Sequence, residues 1–124
     1  MAVMTGDDPI ARVRHICLAL PEAAEQPFGG HTAPSFRVGG KLFLMVSEDL
    51  SVITFKAGPG VQEALTGAAP ERFFVPRYVG HKGWVGARLD AAGDWAELAE
   101  LIEDSFRMIA PKRLAARLGT RPAG

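Results

Sequence analysis

Residues 35–56 read SFRVGGKLFLMVSEDLSVITFK, and this stretch decides the fold. Three apolar runs, Ser35 to Val38, Lys41 to Ser47 and Ser51 to Lys56, are separated by Gly39-Gly40 and by Glu48-Asp49. Glycine accepts the positive φ that tight hairpin turns demand. A Gly-Gly pair between β-rich runs therefore predicts an antiparallel hairpin. The acidic pair predicts a second turn. A short strand at Glu25 to Phe28 is expected to precede these three. Gly58-Pro59-Gly60 breaks the pattern, and a short helix over Val61 to Ala68 follows, with Leu65 inward.

Working outward, Ile10, Val13, Cys17 and Leu20 fall on one helical stripe. Asp7 or Asp8 caps that helix, Pro9 suits its first turn, and Pro21 stops it. Downstream, Phe73 to Val79 and Trp84 to Leu89 read as two strands of a second hairpin about the turn Gly80-His81-Lys82-Gly83. Asp94 and Glu97 open the strongest helix. Its stripe of Trp95, Leu98, Ile102, Phe106 and Ile109 should bury against the sheet, with acids on the other side. Pro111 interrupts it. Lys112 to Leu118 predicts a short basic helix, and Gly119 to Gly124 a frayed tail. The expected architecture is α+β: a two-layer sandwich, with an antiparallel sheet of about five strands and helices on one face, in the order α-β(3)-α-β(2)-α.

The chain has 124 residues, 48% hydrophobic, with a net charge of zero. That fits one domain over 1–124, with a core of about 8–118, and excludes bulk disorder. The longest clean apolar run, Leu42 to Val46, is far short of the ~20 residues of a membrane span. Asp7 and Asp8 spoil any signal-peptide pattern. A single cysteine forms no internal disulfide. These features lead to the expectation of a soluble, cytoplasmic protein. The charge is unevenly placed. Arg72 to Arg88 carries cations and no acid, Asp94 to Asp104 carries acids and no cation, and residues 105–124 again carry only cations.

Two surfaces stand out as candidate sites. Strand alternation puts Val85, Ala87 and Leu89 under the helices and Trp84, Gly86 and Arg88 on the free face. The same rule pairs Leu42, Leu44 and Val46 inside against Phe43 and Met45 outside. The helix-free face is thus expected to collect Phe43, Met45, Trp84 and Arg88, with Phe36. Such a patch fits a ligand, a dimer interface, or a cover supplied by the last helix. The other surface is the second hairpin, where Arg72, Arg77, His81, Lys82 and Arg88 alternate with aromatics. Cations suit phosphates and Trp84 offers a stacking plane. Lys112, Arg113 and Arg117 add phosphate contacts if the final helix lies alongside.

Catalytic chemistry finds little support. Cys17 reads as a buried small hydrophobe. His31 and His81 sit in glycine-rich turns and form a metal or acid–base pair only if those turns meet. No nucleophile-elbow, Walker or dinucleotide motif is present. No catalytic residue, metal or cofactor is expected.

The segments LPEAAEQPFG (20–29), FRVGGKLF (36–43), GHKGWV (80–85) and DSFRMIAPKRL (104–114) together resemble the MmcQ/YjbR family over about Ile10 to Leu118. That resemblance implies a frataxin-like (CyaY-like) or secretion-chaperone-like double-wing fold and a DNA-binding label. It brings no catalytic residues. The expectation is a non-enzymatic binding module with DNA as partner. The alternative is a small anionic or aromatic ligand, or a protein partner, held on the helix-free face in a chaperone-like or sequestering role.

Overall fold

The computed structural model describes residues 8–27, 33–91 and 94–118; Phe28, His31 and Gly119 to Gly124 lie outside these ranges. Helix α1 (Pro9–Leu18) begins at Asp8, whose carboxylate accepts from the Ile10 N–H at 3.0 Å. Strands β1 (Ala24–Pro27), β2 (Pro34–Val38), β3 (Lys41–Val46) and β4 (Val52–Lys56) follow. Next come α2 (Val61–Ala68), β5 (Phe73–Phe74) and β6 (Trp84–Arg88), and then α3 (Trp95–Ile109) and α4 (Lys112–Ala116). In α3, Asp94 caps the first turn by accepting from the Glu97 N–H at 3.0 Å.

The strands form one antiparallel sheet in the order β1-β2-β3-β4-β6-β5. It has six strands because the short expected strand is present as β1. The β2–β3 turn is the expected pair, Gly39 (φ 59°) and Gly40 (φ 79°). At the β3–β4 turn Asp49 accepts from the Ser51 hydroxyl at 2.6 Å, the Ser47 hydroxyl at 2.7 Å and the Ser51 N–H at 3.1 Å.

The core lies between one sheet face and the helices. Cross-strand rows such as Leu44–Phe55–Val85 and Val46–Ile53–Ala87–Phe73 are all buried in it, against Val13, Cys17, Leu98, Ile102 and Phe106. Trp95 departs from expectation. It is half-buried at the margin of the core, with the Arg12 guanidinium 5.2 Å from its ring centroid.

Ser105 sits on the buried side of α3 and ties the helix to the sheet. Its hydroxyl donates to the Phe43 carbonyl at 2.6 Å and accepts from the Lys56 N–H at 3.0 Å. The β3–β4 ladder begins one pair further on, at Leu44–Phe55. The helix thus supplies the hydrogen bonds for one position of the ladder.

Two expectations about the sheet are corrected. Simple alternation puts Phe43 on the free face. The β2–β3 register instead pairs Phe36 with Leu44 and Arg37 with Leu42, so Phe43 is an extra, bulged residue. A bulge breaks alternation and re-aims a side chain. Phe43 is therefore buried beside Leu44, its ring meeting Phe106 edge-on at 5.5 Å. Phe36 also belongs to the core. The strand expected over Phe73 to Val79 stops at Phe74. Pro76 has no N–H to give a ladder, and Tyr78 takes a left-handed φ of 68°. Residues 75–83 instead form a long excursion closed by a 3-10 turn at Gly80–Lys82. Here the Val75 side chain comes so close that a Cβ at Gly80 would stand 2.4 Å from it.

Candidate functional site

The expected free-face patch is dismantled by internal packing. Gly86 leaves a gap on that face, and the Phe74 ring fills it; a Cβ at Gly86 would stand 2.4 Å from the ring tip. The Arg88 guanidinium lies 4.7 Å from the Phe74 centroid, and its Nη1 donates to the Pro70 and Glu71 carbonyls at 3.2 and 3.4 Å. Arg72 donates to Glu97 at 2.8 Å, with its guanidinium 4.8 Å from the Phe73 centroid. Both arginines therefore hold the β5 edge in place. Trp84 is only 8% exposed and stands outside the continuous core. It is corrected from a stacking platform to a packed side chain, because a buried indole face offers no plane to a base.

The remaining candidates sort by their place along the strands. Antiparallel pairing puts the start of β3, the end of β4 and the start of β6 at the same end of the sheet. The Gly39–Gly40 turn and the 75–83 excursion lie there too. Pro111, which opens α4, comes within 3.5 Å of a Cβ built on Gly39, so α4 shares this end. The end therefore gathers Lys41, Lys56, Arg77, His81, Lys82, Lys112 and Arg113, with Glu22 beside Arg113 and Glu63 near the Gly80–Gly83 turn. The opposite end holds Glu48, Asp49, Glu71, Asp90, Asp94 and Glu97, with Arg72 and Arg88. A net charge of zero thus conceals an excess of cations at one end and of acids at the other.

Arg77, His81, Lys82 and Lys112 are all exposed, as is Lys41. None of these five side chains has a hydrogen bond or ion pair among the described residues. Arg113 and Arg117 approach Glu22 loosely, at 3.5 and 3.6 Å. Tyr78, 86% exposed, projects from the excursion beside Arg77. Sequence reasoning passes over Lys41, Lys56 and Tyr78 as site residues. The available signal for Tyr78 is Pro76, which forbids the strand that would have packed it.

Two concavities mark the surface, the first of them beside these groups. A polar cleft of about 540 Å³ lies between the Gly58–Gly60 turn with the start of α2 and the Gly80–Gly83 turn; its lining includes Lys56, Gln62, Glu63, His81, Lys82 and Met108. A shallower groove of about 650 Å³ runs between α1 and α3 over Ala11, Ile16, Trp95, Ala96 and Ala99, bordered by Arg12 and His15. It is chiefly apolar and has no nucleophile.

Cys17 is fully buried in α1, and burial, with the Glu25 charge adding to it, pushes its thiol far above the ordinary range. Among the described residues no three His, Cys, Asp or Glu side chains are grouped to hold a metal ion. The His31–His81 pairing lies outside the described residues. No helix among them is long and apolar enough to cross a membrane.

The model of the YjbR family matches residues 18–108. The chain belongs to the YjbR family. A crystal structure of a Deinococcus radiodurans protein with the domain DUF419, the same family, is similar with a TM-score of 0.77 at 22% identity, covering 96% of this chain and 94% of that one. A Pseudomonas syringae protein is similar with a TM-score of 0.55 at 19% identity, over 79% of this chain and 97% of its own. These likenesses carry the YjbR fold. No curated protein matches the sequence.

Proposed function

We propose that this YjbR-family chain is a non-enzymatic binding module whose basic end takes DNA, single strands in preference to duplex. The observation that carries the reading is the sorting of charge to the two ends of the sheet. Lys41, Arg77, Lys82 and Lys112 project without partners among the described residues at one end, where the ring of Tyr78 is also exposed. Cations supply phosphate contacts and release counterions, which gives affinity without sequence choice. An exposed aromatic among them gives a base a face to stack on. The acidic end orients the molecule as it approaches a polyanion. The non-enzymatic reading is supported by the Cys17 thiol, the nucleophile of the sequence, which is sealed in the core away from this end.

The test is a titration against single- and double-stranded DNA at two salt concentrations. Lys41→Ala/Lys82→Ala should lower the salt slope by about one unit for each phosphate that is no longer neutralised. Tyr78→Ala should weaken single-strand binding by about 1–3 kcal/mol while preserving the slope. Absence of binding by the wild type at low salt would overturn the reading. It would leave the helix-free face, with its half-buried Met45 and Thr54, as the surface to examine for a small ligand or protein partner.

A further inference from the structure

Resting on that reading, we propose that the polar cleft beside the 75–83 excursion is an end-recognition site, which takes the terminal phosphate monoester of a single strand. The cleft is concave, whereas Arg77 and Tyr78 lie on the projecting loop outside its lining. Its volume of about 540 Å³ is within the ~300–1,000 Å³ typical of small-ligand sites. Its two walls are tied together. The Gln62 Nε2 group on α2 donates to the Gly80 carbonyl at 2.7 Å and to the Trp84 carbonyl at 2.8 Å. The width is therefore set before any ligand arrives, which lowers the ordering cost of binding.

Donor groups reach the cleft from both walls: Lys56 at the end of β4, and His81 and Lys82 on the facing turn. Their side chains have no hydrogen bond or ion pair among the described residues. Glu63 is the carboxylate in the lining, and it is exposed. A phosphate inside a strand carries one charge and a sugar on each side. A terminal monoester carries a charge of about −1.5 to −2 and offers three strong acceptor oxygens. Lys56, His81 and Lys82 around one concave cleft match the more highly charged terminal group. The loop outside, with Arg77 and Tyr78, then meets the adjoining nucleotides.

The experiment compares one oligothymidine in end-phosphorylated and hydroxyl-ended forms, by fluorescence anisotropy with the full chain. The expected result is about a tenfold preference for the phosphorylated end, the size of one charge-assisted hydrogen bond. Lys56→Gln and, separately, His81→Gln should bring that ratio to about unity, whereas Arg77→Ala should weaken both forms and preserve it. Melting curves matching the wild type establish that each variant folds. Equal binding of the two forms by the wild type would overturn end recognition and leave DNA binding intact. Failure of both forms to bind would overturn the DNA reading itself.

Discussion

Ser105→Ala removes one oxygen and tests how α3 is fastened to the sheet. Ser105 is fully buried, and its hydroxyl serves the Phe43 carbonyl in a buried bond and the Lys56 N–H in a part-buried one. Alanine leaves both backbone groups in place without partners. A buried carbonyl stripped of its donor costs about 1–3 kcal/mol, and a part-buried N–H that recovers some hydration costs about 0.5–1.5 kcal/mol. Alanine's better helix propensity returns about 0.5 kcal/mol. The net expectation is a loss of about 1–4 kcal/mol. With ~2.1 cal/mol/K of unfolding entropy per residue, a 124-residue chain loses about 4 °C of Tm per kcal/mol, so the midpoint should fall by about 4–16 °C. Calorimetry gives the midpoint, and urea titration should show an unchanged m-value. Ser35→Ala is the internal comparison: that side chain is equally buried but makes one bond among the described residues, to the Gln26 carbonyl at 3.0 Å, and should cost about 1 kcal/mol. A loss below about 0.5 kcal/mol for Ser105→Ala would refute the reasoning, because the strands would then have closed on each other without the helix.

Phe106→Ala, which empties a fully buried site against Phe43, should destabilise by about 3–5 kcal/mol in a urea melt; an unchanged midpoint would contradict the packing. Gly86→Ala drives the Phe74 ring off the sheet and takes away the platform under Arg88, and should cost about 1–3 kcal/mol by the same measurement. Cys17 should react with a thiol reagent slowly in the native protein and rapidly once unfolded; rapid native labelling would place it outside the core. The Ser51 hydroxyl, the Ser47 hydroxyl and the Ser51 N–H hold the Asp49 carboxyl below its ordinary value of 3.8. Their stabilisation of the β3–β4 turn is therefore complete above that pH and is lost as pH falls through the lower folded-state pKa. An NMR titration of Asp49 with a midpoint at or above 3.8 would contradict this.

The element order is legible because its signals are local: Gly39-Gly40 for a turn, Asp8 and Asp94 for caps, helical stripes for α1 and α3. What escapes sequence reading depends on distant partners. The Phe43 bulge exists only in the register between β2 and β3, and no residue type announces it. Arg72 and Arg88 look free in the sequence because their partners, Glu97 and the carbonyls of Pro70 and Glu71, are brought to them by the fold. Ser105 is visible as a polar residue on an apolar stripe, but its two backbone partners lie 62 and 49 residues away in sequence. The basic end is illegible for the same reason. Lys41, Arg77 and Lys112 are far apart in the chain and reach the same end only through strand order and the docking of Pro111 on the Gly39 turn.

The sheet's two outermost strands bear on how the protein behaves when crowded. β1 has four residues, includes Glu25 paired with Arg14, and ends on Pro27; β5 has two residues, with Pro76 shortly after it. Open strand edges template the growth of aggregates when they offer a long, flat row of unused N–H and C=O groups. Here each border is a stub with a proline or a charge at or near it, so a second molecule has almost no row to extend. Resistance to fibrous self-assembly is thus written into the borders of the sheet, independently of what its basic end holds.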